Sequence, residues 1–172
     1  MKLSSTRRIG ASIIGMGMLL GLAGQASAGD AAKAAASIER GRYLVTIGGC
    51  NDCHTAGYSE QGGTTPESQW LTGVPVGFQG PWGTTYPSNL RLVASRLTEA
   101  GWVAHARKER LPPMPWFNLK AMSDADLKSM YAFIRSLGQS GTVTPAYVAP
   151  GGKVTTPYIV FVPQVDQKQA AR

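Results

Sequence analysis

Apolar residues recur at helical spacing in three stretches of this chain. Ile38, Gly41, Leu44, Val45 and Gly48 follow a possible cap at Ser37, which predicts a helix over residues 37–47. A second helix is predicted over 99–109, capped by Thr98, with Leu97 and Trp102 placed as a hydrophobic staple. The clearest pattern is Leu127, Met130, Tyr131 and Ile134, with Ser123 as cap, Asp124 and Asp126 in the first turn, and Gly138 at the end. Between these lie stretches without periodicity. Residues 57–89 are rich in Gly, Thr, Ser and Pro and carry Trp70, Phe78, Trp82 and Tyr86, which predicts a long loop in need of a packing partner. Leu111-Pro112-Pro113-Met114-Pro115-Trp116 is a stiff turn. Prolines at 145, 150, 157 and 163 exclude a helix from the tail and predict extended structure on a surface. The expected architecture is all-α, with few helices and long loops. So few helices enclose little core of their own, so the pattern implies a prosthetic group at the centre.

The N-terminus reads differently. Lys2, Arg7 and Arg8 precede an apolar run broken by glycines, and Ala26-Ser27-Ala28 closes it with small residues. This is the pattern of a cleaved secretory signal peptide over 1–28, too short in its apolar part for a membrane span. An alanine-rich linker over 29–36, one domain over 37–138 and a proline-rich tail over 139–172 complete the predicted organisation. The leader carries three basic residues, so the formal charge of +7 falls to about +4 after cleavage. No basic run with interleaved aromatics is present, which argues against nucleic acid as a partner. Arg107, Lys108 and Arg110 form a small cluster that reads first as a solvated helix face and second as a docking patch for an acidic partner.

The two cysteines of the chain stand in Cys50-Asn51-Asp52-Cys53-His54. Two thiols one helical turn apart can each add to a vinyl group of one haem, with the following histidine beneath the iron. The competing readings fit less well. A thioredoxin-type pair wants a βαβ context, a zinc site wants four protein ligands, and a plain disulfide leaves His54 without a role. One covalent haem c is therefore expected. Met114 is the expected sixth ligand, because flanking prolines hold its thioether in place. Met130 lies in a helix stripe, Met122 abuts a helix cap, and His105 reads as a surface residue. Trp82, Tyr86, Asn89 and Arg91 supply four hydrogen-bond donors from one loop, and are the candidates for holding the haem propionates.

Arg40-Gly41-Arg42-Tyr43-Leu44-Val45, Gly80-Pro81-Trp82-Gly83-Thr84-Thr85-Tyr86, Pro113-Met114-Pro115 and Met122-Ser123-Asp124 together resemble class I cytochromes c. The chain is most similar to single-haem domains in the cytochrome subunits of bacterial periplasmic alcohol and aldehyde dehydrogenases. Those subunits often hold three such domains, and this chain has one haem motif. The resemblance implies a class I cytochrome c fold in which Gly41 lets the first and last helices cross, with Tyr131 opposite. It implies a periplasmic electron-transfer protein, not an enzyme in itself, that carries single electrons from a dehydrogenase to a respiratory acceptor. A dedicated acceptor subunit of a dehydrogenase complex is the alternative, and a haem sensor with an open sixth position a third reading. No stable membrane span is expected after signal cleavage.

Overall fold

The computed structural model describes residues 19–163, with side chains from Ala28 onward. The basic start and most of the apolar run of the predicted signal peptide (1–28) lie outside the described residues, as does the end of the tail. No described helix is long and apolar enough to cross a membrane. The chain divides between Ala34 and Ala35 into two units, and the haem motif lies in the second.

Helix α1 spans Leu19–Ile47. It includes residues 29–36, expected to be a linker. Alanine has the highest helix propensity, and no proline falls within Leu19–Ile47 to break the helix. Gly49, at φ 64°, then breaks the helix and starts α2, Cys50–His54. Four more helices follow: α3 (Leu90–Ser95), α4 (Glu99–Ala106), α5 (Trp116–Ala121) and α6 (Asp124–Ser136). The caps at Thr98 and Ser123 are formed as expected, each hydroxyl accepting a backbone N–H three residues on. Helix α4 stops three residues short of its predicted end, ahead of Pro112-Pro113. Helices α3 and α5 were not anticipated.

α1 crosses α6 at Gly41. A Cβ there would lie 2.0 Å from Ser129 O and 2.7 Å from Phe133 Cβ, so only glycine permits this approach. Ser37 and Ser129 hydroxyls meet at 3.2 Å, and Arg40 pairs with Asp126 at 3.0 Å beside the crossing. The ring facing this crossing is Phe133, not Tyr131. The Tyr131 hydroxyl instead donates to Leu97 O at 2.7 Å, with its ring near Trp102. The buried core joins Leu44 and Val45 of α1 to Leu71, Ala94, Trp102, Ala106 and the α6 residues Leu127, Met130, Phe133 and Ile134.

The all-α expectation needs one correction. A three-stranded sheet of order β2-β1-β3 is present, made from β1 (Gly77–Gly80), β2 (Gly83–Thr85) and β3 (Tyr158–Val160). β1 and β2 form an antiparallel hairpin around Pro81-Trp82, and β3 runs parallel to β1 with Phe78 opposite Ile159. Three- and four-residue strands rich in glycine leave little alternation to read. The tail lies extended over its own domain, and Val148 bridges to Thr84 on its way to β3.

Candidate functional site

Helix α2 carries Cys50, Cys53 and His54, and its surroundings hold it from three sides. The Thr55 hydroxyl donates to Asn51 Oδ1 at 2.7 Å and accepts Leu71 N–H at 2.7 Å, so the motif is tied to the segment around Leu71. Gly73 N–H donates to His54 O at 2.8 Å. His54 is buried, with Nδ1 2.7 Å from Ser88 O. A carbonyl only accepts, so Nδ1 carries the hydrogen and the Nε2 lone pair is left for a metal. Burial lowers the His54 pKa, although the Ser88 contact opposes this, so the imidazole is held neutral as ligation requires.

The thiols are free cysteines. Burial first, then the Asp52 carboxylate, pushes Cys50 up to about 12, and the same two causes raise Cys53. Neither sulfur is poised as a thiolate, as a redox-active or metal-binding cysteine pair would be.

Of the four candidate propionate donors, Trp82 keeps an open hydrogen. Its indole Nε1–H is buried without a partner, the condition that a carboxylate oxygen would relieve. Asn51 Nδ2 and Thr65 Oγ1 share that condition. Tyr86 OH lies 2.7 Å from Thr156 Oγ1, a link to the tail. Asn89 and Arg91 have other partners. The Asn89 amide donates to Ser140 O at 2.8 Å and Thr142 O at 3.2 Å, and its oxygen caps α3 by accepting Leu92 N–H at 3.0 Å. Arg91 donates from Nε to Gly138 O at 2.6 Å, from Nη1 to Ser68 O at 2.8 Å and from Nη2 to Leu137 O. It thus closes the carbonyl end of α6, where a cation also suits the helix dipole.

Met114 is half-buried in the turn before α5. The Thr85 hydroxyl donates to Pro112 O at 2.9 Å, and Trp116 N–H to Met114 O at 2.9 Å, so both ends of the turn are held. Met130 is in the hydrophobic core and Met122 packs against it. His105 faces Arg110, with Nε2 3.0 Å from its Nη2, and stacks on Trp102. Arg107 reaches Asp124 and the carbonyls of Lys120 and Met122, joining α4 to the start of α6.

Gly73 was not anticipated as a site residue. At φ 80°, a Cβ there would lie 2.7 Å from Asn89 N and 3.0 Å from Ser88 C, against the segment that offers its carbonyl to His54. A glycine inside Leu-Thr-Gly-Val gives no sign of this approach, which depends on a distant segment.

These features define a covalent haem protein of the c type: a vicinal thiol pair, a neutral imidazole with its metal-binding nitrogen free, and a buried unpaired donor. The family model described as Cytochrome c matches residues 38–138, and the chain belongs to that family. Comparisons with curated proteins and with solved structures gave no match. One haem c is attached through Cys50 and Cys53, and the family points to electron transfer as its chemistry.

Proposed function

We propose that this chain is an exported, periplasmic carrier of single electrons, with His54 and Met114 as the two axial ligands of the haem iron. The observation that carries this reading is the His54 arrangement, in which Nδ1–H is fixed on Ser88 O and leaves the Nε2 lone pair to a metal, on the same short helix as the two cysteines. Met114 is favoured because Met130 and Met122 are committed to the core, while Met114 sits in a turn tethered at both ends. A fixed thioether keeps reorganisation small between oxidation states and favours the ferrous form. With both axial positions filled by protein, one-electron exchange is the remaining chemistry of the bound haem. Trp82 supplies the open N–H for a propionate. Asn89 and Arg91 act one step removed, by fixing the loop that carries Ser88. Resemblance to the cytochrome subunits of periplasmic dehydrogenases supports a dehydrogenase as donor and a respiratory protein as acceptor.

The ligand assignment is tested by Met114→Ala beside Met122→Ala in the haem-loaded protein. Met114→Ala should abolish the weak long-red band of methionine-bound ferric haem, lower the potential and admit carbon monoxide. Met122→Ala should keep the band. The reverse outcome would refute the assignment while leaving the covalent haem in place.

A further inference from the structure

We infer that the outer edge of the small sheet, Tyr158–Val160 with Phe161, is a docking face for a redox partner that presents an apolar, uncharged surface of its own. This rests on the electron-transfer reading above. β3 ends the sheet, and among the described residues no strand lies beyond it. Its side chains stay in water: Tyr158 is 47%, Ile159 50%, Val160 55% and Phe161 50% exposed. From Val154 to Pro163 the chain holds no charged residue. Sheet edges are commonly protected by charge, and here prolines flank the strand without interrupting it. The segment is nonetheless held in place, with Gly77 N–H on Pro157 O at 2.9 Å and Phe161 N–H on Gln79 O at 2.8 Å.

Three features select the occupant. Side chains alternate along the strand, with Tyr158 and Val160 on one side of the edge and Ile159 and Phe161 on the other; together, each about half exposed, they offer roughly 400 Å² around that edge. A stable dimer needs about 800 Å² from each partner, whereas transient electron-transfer contacts are smaller. Phe161 meets the Trp82 ring edge-on at 6.3 Å, and Trp82 carries the buried open N–H proposed above to hold a propionate, so on that reading a protein docked here lies close to the haem. A groove of about 420 Å³ adjoins the strand, walled by Gly80, Pro81, Gly83, Pro150, Gly151 and Val160, and it has room for an incoming apolar side chain. A charged partner surface would lose hydration against this face without compensation.

The test uses haem-loaded mature protein on gold electrodes coated with methyl-terminated or carboxylate-terminated alkanethiols, with coverage read by quartz microbalance and electron exchange by voltammetry. Wild-type protein should bind the methyl surface and exchange electrons there, with coverage insensitive to salt. Ile159→Lys and Val160→Lys should each cut that coverage at least about tenfold, with melting temperature and visible spectrum unchanged. If a lysine variant loses stability, Tyr158→Thr carries the same expectation at about threefold. Equal coverage by wild type and variants would overturn the docking face. A wild-type dimer in sedimentation that the variants dissociate would overturn it too, by giving the face to a second copy. Normal coverage with no reversible wave on either surface would overturn the carrier reading, and this inference with it.

Discussion

Arg91 separates two accounts of the same residue. If its guanidinium served a propionate, Arg91→Ala would change the potential first. The structure commits Nε, Nη1 and Nη2 to Gly138, Ser68 and Leu137 carbonyls, with the residue itself buried. Hydrogen bonds from charged donors are worth about 1.5–3 kcal/mol each, and they are not additive when one side chain makes all three. Removing the side chain also leaves the Ser68, Leu137 and Gly138 carbonyls without that donor. A loss of about 3–5 kcal/mol follows, which in a domain of this size lowers the melting temperature by roughly 10 °C or more. Arg91→Lys should recover little, because a single ammonium cannot reach three carbonyls in a fixed fork. Guanidinium melts and voltammetry on the same haem-loaded samples make the comparison. Trp82→Phe is the counterpart: it should leave stability nearly intact and lower the potential by roughly 20–50 mV, since an uncompensated carboxylate favours the ferric state. An Arg91→Ala protein with unchanged melting and a large potential shift would refute the capping account.

Three other outcomes follow from named contacts. Gly41→Val should destabilise by at least about 3 kcal/mol, seen as loss of the cooperative melt, because even its Cβ overlaps Ser129 O at the crossing of α1 and α6. Gly73→Ala should push the Ser88–Asn89 segment off His54, cost about 2–4 kcal/mol and raise the potential, since an imidazole without its carbonyl partner donates less to the iron; an unchanged potential would mean that Ser88 does not tune the ligand. The His105 pKa is lowered, by burial first and then by Arg110 and Lys108, so protonation favours the unfolded chain. The stability held by neutral His105 is complete above about pH 6.5 and falls as pH drops through the depressed folded value. His105→Gln should flatten that part of the melting-temperature profile, and an identical acid limb in both proteins would assign it elsewhere.

The parts of this fold that were legible share one property: their determinants are local. Thr98 and Ser123 cap their helices from three residues away, the stripe of α6 repeats within one element, and the thiol pair and His54 are contiguous. The missed elements needed partners far along the chain. β1 and β3 pair residues near 78 with residues near 159, and neither strand is long enough to announce itself. Asn89 and Arg91 read as donors in the sequence, but a donor's sequence does not name its acceptor. Asn89 also bore a local signal that pointed the other way: placed between Ser88 and Leu90, it is a helix cap, and α3 follows from it. Two of the three Arg91 acceptors lie at the end of α6, nearly fifty residues downstream, where packing against α3 brings the last carbonyls within reach. The stiff Gly73 contact and the Ser88 carbonyl belong to the same layer of structure. Residue chemistry thus located the haem, while the loops that orient its histidine became readable only once the chain was folded back on itself.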